Sequence, residues 1–281
     1  MVALKAASIV FAALAYGSAS AGHKPAGRSL PAAKTPPVVT ITAHDYAYDA
    51  IPDIPAGVVQ IRLHNLGPDA HHAAIFKLDA GKTAPDLLDA MKTPGPPPSW
   101  AQTISGPNVP APGAYSNVIV TLSPGNYVAL CFVNTNGGLP HYMKGMARAF
   151  KVVPSNNKAK EPAPDTHIEL SDYAFKVSKP VTPGMHTFHV MNSGPQLHEI
   201  QLFQLAPGKS LGELVTWLSG PMNGPPPAKP MGGIVNVMPG GHAIFRQTMV
   251  AGEWAAVCFV PDAKDGKPHF VHGMAQEFRV N

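Results

Sequence analysis

The chain repeats itself at a nearly constant offset, and this constrains its fold more than any other feature. Asp45-Tyr46-Ala47-Tyr48 returns as Asp172-Tyr173-Ala174-Phe175, 127 residues later. Asn65-Leu66-Gly67-Pro68 returns as Asn192-Ser193-Gly194-Pro195, and Gly81-Lys82 as Gly208-Lys209, at the same offset. Gly125 and Tyr127 match Gly252 and Trp254, and Cys131-Phe132-Val133 matches Cys258-Phe259-Val260. One inserted residue then moves the offset to 128, so that Pro140-His141 aligns with Pro268-His269 and Gly145-Met146 with Gly273-Met274. A register held over such a span implies two copies of one unit, at 38–153 and 166–281. The connecting residues 154–165 are polar and Pro-rich and read as a linker.

Within a copy the pattern is mostly that of strands. Val38 to Ala43, Val58 to His64, Ala73 to Leu78, Val118 to Leu122, Tyr127 to Val133 and Ala147 to Val153 are short apolar or alternating runs. Turn signals such as Pro124-Gly125 and Pro239-Gly240 separate strands. With 26 Gly and 32 Pro against 45% hydrophobic residues, the composition suits many short strands around a real core. Ala84 to Lys92 and Ser210 to Leu218 break the pattern: Leu211, Leu214, Val215 and Leu218 fall at helical spacing. The expected fold class is all-β, two tandem Greek-key sandwiches, each with one short inserted helix.

The N-terminus reads as a targeting segment. Lys5, the apolar run Ala6 to Tyr16 and Ala19-Ser20-Ala21 form a charged region, a short hydrophobic region and a cleavage site. Residues 1–21 are expected to be a signal peptide and 22–37 a flexible leader. The apolar run is too short to span a bilayer, and no later segment is long and apolar enough. Periplasmic or extracellular residence follows. A formal charge of +4 with no Lys/Arg cluster argues against nucleic acid as a partner.

Each copy carries one ordered set of soft donors: His71, Cys131, His141 and Met146 in the first, and His198, Cys258, His269 and Met274 in the second. The first His lies 60 residues before the Cys in both, and the second His five before the Met. A thiolate, two imidazoles and a thioether suit copper in both oxidation states; calcium and magnesium prefer oxygen. The Pro before each second His restrains the end of the loop.

These residues resemble the cupredoxin family. Asn65-Leu66-Gly67-Pro68-Asp69-Ala70-His71 and Asn192-Ser193-Gly194-Pro195-Gln196-Leu197-His198 look like the strand that supplies its first His. Cys131 to Met146 and Cys258 to Met274 look like its C-terminal ligand loop, with the His-x4-Met end of plastocyanins and copper nitrite reductases. The resemblance implies cupredoxin-like sandwiches and a type-1-like copper site in each. It also implies an outer-sphere one-electron role, with the second His in an exposed loop as the electron's exit. The Cys-to-His gaps, nine and ten intervening residues, exceed the usual short loops, and the extra residues are expected to bulge into solvent.

Other readings remain open. The two Cys of an exported chain suggest a disulfide, but equivalent interior positions of two domains cannot easily meet. They could be buried apolar thiols. His72 competes with His71, although strand alternation should point it away. Met143 has Val271 as its counterpart, which makes Met146 the better axial candidate. His272 reads as a loop residue. His44, His64, His186, His189 and His242 lack repeated counterparts and read as surface or strand histidines. A copper enzyme needs further histidines, whereas Leu130, Phe132, Val257 and Phe259 flank the Cys residues and Phe76 and Phe203 stand a few residues after each first His, where such an enzyme would place a second. Storage, delivery or tolerance without a redox role is the alternative to electron transfer. The expected partner is a redox protein or a copper donor or acceptor.

Overall fold

The computed structural model describes residues 35–93, 95–135 and 137–281. The expected signal peptide and nearly all of the leader lie outside the described residues. The first copy contains β1 (Val38–His44), β2 (Ala47–Tyr48), β3 (Ile54–Pro55), β4 (Gly57–Asn65), β5 (Ala74–Leu78), helix α1 (Ala84–Ala90), β6 (Ala101–Ile104), β7 (Gly106–Pro107), β8 (Tyr115–Leu122), β9 (Gly125–Leu130) and β10 (Ala147–Val153). The second contains β11 (Thr166–Ser171), β12 (Ala174–Val177), β13 (Gly184–Asn192), β14 (His198–Leu205), helix α2 (Leu211–Ser219), β15 (Ala228–Val237), β16 (His242–Met249), β17 (Gly252–Val257) and β18 (Ala275–Val280).

Each copy is a two-sheet sandwich. One face of the first is built from β8-β4-β1-β2 and the other from β3-β10-β9-β5-β6. The second repeats this with β12-β11-β13-β16 and β18-β17-β14-β15. Alternation decides which residues enter the core. Along β4, Val59, Ile61 and Leu63 point inward and are fully buried while their neighbours remain partly exposed. Each such side chain contributes about 1.5–3 kcal/mol. Phe188 and Phe245 stack inside the second sandwich at 4.9 Å.

The two copies form one continuous structure. Their first sheets join edge to edge through β16 and β8 into an eight-stranded sheet. Asn117 reinforces this junction: its Nδ2 donates to Arg246 O at 2.7 Å, and Arg246 N donates to its Oδ1 at 3.0 Å. Strand β7 leaves its own copy and pairs antiparallel with β15, placing Pro107 opposite Ile234. Those two residues are repeat equivalents, so a strand here pairs with its own counterpart, as across a two-fold axis. Gly106 and Gly233 permit the approach. A Cβ on either would strike a backbone carbonyl, that of Ala73 or of Ile200, themselves repeat equivalents.

Both helices form where their N-terminal signals lie. Thr83 with Asp86, and Ser210 with Glu213, make capping boxes, and Leu87 and Leu214 are buried beneath them. Several features differ from the sequence reading, the short strands β3, β6 and β7 among them. Strand β15 was hidden by Pro230 and the Gly232-Gly233 pair. The β1–β2 and β11–β12 hairpins were too short to register. The linker is not merely a spacer: Ser155 Oγ donates to Ala56 O at 2.7 Å, and Asn157 Nδ2 to Val58 O at 2.8 Å.

Because Asn117 satisfies two buried-edge groups across the junction, Asn117→Ala should cost about 1–3 kcal/mol. Urea unfolding followed by fluorescence should show an earlier midpoint. An unchanged midpoint would mean that the junction does not stabilise the chain.

Candidate metal centres

The structure brings three donors together in each copy. In the first, His71 Nδ1 lies 3.2 Å from His141 Nδ1, and Cys131 Sγ lies 3.6 Å from His141 Nδ1. In the second, the two Nδ1 atoms of His198 and His269 are 3.0 Å apart, and Cys258 Sγ lies 4.0 Å from that of His198 and 3.5 Å from that of His269. All six side chains are buried. Met146 and Met274 are fully buried in the same apolar cluster as the cysteines. Backbone bonds from Cys131 N to Met146 O (3.2 Å) and from Cys258 N to Met274 O (3.1 Å) close each loop. Both cysteines are free thiols, each enclosed in its own site.

The first His comes from the start of β14, or from the segment just before β5, and the Cys follows β9 or β17. The second His opens a 3-10 turn, His141–Lys144 or His269–His272. That turn is held over the Cys by Tyr142 N donating to Cys131 O and Phe270 N to Cys258 O. The second His was expected at the surface, yet His141 is 1% exposed and His269 0%. Tyr46 and Tyr173 cover them edge-on, at ring distances of 4.6 Å and 5.3 Å. Asp69 anchors the Tyr46 hydroxyl and Asp262 that of Tyr173. Asp262 belongs to the longer second loop and is itself buried, so that loop does not simply bulge into solvent.

The repeated Asp-Tyr motif carries a role that its repetition alone did not reveal. Asp45 Oδ1 accepts from His71 Nε2 at 2.6 Å, and Asp172 Oδ1 from His198 Nε2 at 2.6 Å. With Nε2 protonated by this network, Nδ1 presents its lone pair to the cavity. The Asn-x-Gly-Pro motif leaves room for this bond. A Cβ on Gly194 would lie 2.8 Å from His198 Nε2 and 2.9 Å from Asp172 Oδ1, and one on Gly67 would lie 2.2 Å from Asp45 Oδ1 and 2.9 Å from His71 Nε2. Asn65 and Asn192 hold the turn by accepting from Gly67 N and Gly194 N.

His72 also belongs to the site's support. Its face is opposite to that of His71, but it is buried and its Nε2 accepts from Phe132 N at 2.9 Å. Glu199 does the same in the second copy, accepting from Phe259 N at 3.0 Å. The N–H directly after each Cys is thus tied to the residue directly after each first His. Burial pushes the His72 imidazole down to about 3 and the Glu199 carboxyl up to about 7.

The donor set fits a soft cation. Burial holds the His141, His198 and His269 imidazoles below their ordinary value, so that neutral nitrogens face the cavity. Burial also pushes the Cys131 thiol up to about 12 and raises Cys258 further, with the Glu199 carboxylate adding to the rise. A coordinated cation reverses that and binds the thiolate. His269 gives the sharpest indication. Its Nε2 is the one buried side-chain polar atom, among the described residues, without a hydrogen-bond partner. If Nδ1 carries the proton, Nε2 is left unsatisfied; if Nε2 carries it, two lone pairs meet at 3.0 Å. A cation between the Nδ1 atoms removes the conflict and leaves Nε2–H facing Asp262, 3.7 Å away. In a third group, Asp262, Asp265 and His272, the His272 Nε2 lies 3.1 Å from Asp265 Oδ1, and the carboxylates of Asp262 and Asp265 accept from the backbone N–H groups of Lys264 and Lys267.

No family model matches the chain, and no curated protein does. Solved structures do. An auracyanin from Roseiflexus castenholzii is 22% identical, with 43% of this chain matching all of that one at a TM-score of 0.30. Auracyanin A, a "blue" copper protein from Chloroflexus aurantiacus, is 20% identical over 43% of this chain and 99% of its own, at 0.31. The copper-containing nitrite reductase from Thermus scotoductus is 15% identical over 87% of this chain and 61% of its own, at 0.24.

Removing the carboxylate that orients the first His should weaken the centre without unfolding it. Asp172→Ala should lower metal affinity in the second copy by about 10–100-fold. Chelator competition should detect this while the first centre is unchanged. Equal affinity in the variant would dismiss the orienting role.

Proposed function

We propose that the chain is an exported copper protein that carries one electron at a time. His71, Cys131, His141 and Met146 would hold one copper, and His198, Cys258, His269 and Met274 the other. The observation carrying this reading is the pair of buried sites in which two Nδ1 lone pairs and a thiol converge. Two imidazoles, a thiolate and a weak thioether are the donor set of a blue-copper electron-transfer site. Copper there supplies a one-electron couple whose potential the ligands and their surroundings set.

The protein's own residues prepare the site. Asp45 and Asp172 hold the first His in one tautomer. His72 and Glu199 pin the strand that bears the thiolate. Tyr46 and Tyr173 exclude water from the second His, so the route outward passes over a Tyr edge. In the first copy Lys144 lies over the Tyr46 ring, 3.8 Å away. Such enclosure favours electron transfer over storage or delivery, where a metal must enter and leave. Leu130, Val257 and Phe76 are packed into the apolar cores, and Phe203 nearly so, which supports a carrier without a catalytic copper. The partner would be a redox protein. Export rests on the Lys5 to Ala21 segment.

Loading the mature chain with Cu(II) should give two coppers and an intense thiolate-to-copper absorption. Cys131→Ser and Cys258→Ser should each remove one copper's share of the band. Met146→Leu and Met274→Leu should shift the potential and retain the metal. Bound copper with no thiolate band would refute the carrier reading and favour delivery or storage.

A further inference from the structure

The second copy carries a histidine cluster that its centre does not use. His167 on β11, His189 on β13 and His242 on β16 all point outward from three adjacent strands of the shared sheet. His167 and His189 are direct cross-strand partners, and His242 is opposite Met191, two residues along from His189. The His167 and His189 ring centroids lie 5.3 Å apart, and those of His189 and His242 lie 5.1 Å apart. Glu161, from the linker, brings Oε1 to 3.5 Å from His242 Nε2. His167 and His242 are exposed and His189 half-buried, so an ion could reach them from solvent. Met191 is 43% exposed beside them.

The first copy provides an internal comparison. Its residues at the same three positions are Thr40, Arg62 and Tyr115. There the Arg62 guanidinium lies over the Tyr115 ring at 5.4 Å, and His64 stacks on the same ring at 4.0 Å. The scaffold therefore tolerates a cation–π surface at this place and does not require histidine. All three positions are imidazole in one copy and none in the other. Gathering three imidazoles gains little unless they share something, because a proton on one repels protons on the others. Burial, followed by the His242 and His167 charges, holds His189 below its ordinary value and keeps its nitrogens available.

We propose that His167, His189 and His242, with Glu161, form a surface site for a borderline divalent metal ion, their exposed side chains turning to bring the donors together, because the groups whose donors already converge are the two buried centres and the Asp262 loop. Imidazole and carboxylate suit Zn(II), Ni(II) and Cu(II), and among these Cu(II) binds most tightly in a site of given geometry. The site lacks a thiolate, so bound copper there stays Cu(II) with nitrogen and oxygen donors. It lies on the outer face of the sheet, opposite the packed Phe188 and Phe245 layer, and is separate from both buried centres.

The test uses the unsubstituted chain already filled at its two centres and titrated with further Cu(II). One further Cu(II) should bind, with an electron paramagnetic resonance signal showing nitrogen coupling and no added thiolate absorption. His189→Ala and His242→Gln should each abolish that ion, whereas Tyr115→Ala, at the equivalent place in the first copy, should leave it. His242 is 48% exposed, so its substitution leaves the core intact. An unchanged copper count in both His variants would overturn the proposal. A missing thiolate band in the unsubstituted chain would count against the electron carrier and not against this site.

Discussion

Each centre depends on one hydrogen bond, from a buried His Nε2 to an Asp carboxylate that precedes it by 26 residues. It settles which nitrogen carries the proton, and so which nitrogen looks into the cavity. The surroundings serve that bond. A Gly in the Asn-x-Gly-Pro turn leaves room for it, the Asn side chain holds the turn, and the following Tyr closes the far wall against the second His. A buried imidazole with its tautomer left free would present a donor or a lone pair at random, and the cysteine opposite would have no consistent partner. The Asp-Tyr motif and the Asn-x-Gly-Pro motif are far apart in sequence, but they recur together because they are two halves of one hydrogen-bonded wall.

The second constraint is the way the copies meet. Strand β7 pairs with β15 and β8 with β16, and at β7 the paired Pro107 and Ile234 are each other's repeat counterparts. Two copies of one unit need only one self-complementary surface to associate in this way, and a covalent linker makes the encounter intramolecular. The close backbone contacts of Gly106 and Gly233 appear in both copies because the axis passes between them. Residues at this junction are also near the centres: Asn108 is buried there, and its Nδ2 donates to the carbonyl of Ile200, the residue after Glu199. The interface and the supports of the two sites are therefore parts of one packed region.

Much of this was legible in the sequence because repetition marks what both copies need. The ordered His, Cys, His and Met residues, the sandwich class and the capped helices all left a repeated or periodic trace. Other features left none. Strand β15 carries Pro and two Gly because it must pass close to β14 and β7, and those residues erase the strand pattern. The burial of His141 and His269 depends on Tyr46 and Tyr173 arriving from nearly a hundred residues away. Strand alternation correctly turned His72 away from His71, but it could not show that the far side of that strand is the wall behind the cysteine. Asp262 falls in the loop where the copies differ in length, and its partners Tyr173 and Gln196 lie far from it in sequence.

Divergence between the copies is as informative as their agreement. At the position after the first His, an imidazole and a carboxyl accept the same backbone N–H, so geometry was retained while chemistry changed. Burial drives the two groups in opposite directions, and both move toward their neutral forms, the state in which each accepts that bond with least desolvation cost. The position requires a buried acceptor of suitable reach and little more. The outer sheet face is different. Thr40, Arg62 and Tyr115 share no chemistry with His167, His189 and His242, so no common structural demand explains both sets. Where a scaffold tolerates unrelated residues, three adjacent imidazoles need a cause outside the scaffold. By repetition alone His189 and His242 were surface or strand histidines; on strands next to the one that bears His167 they become a set.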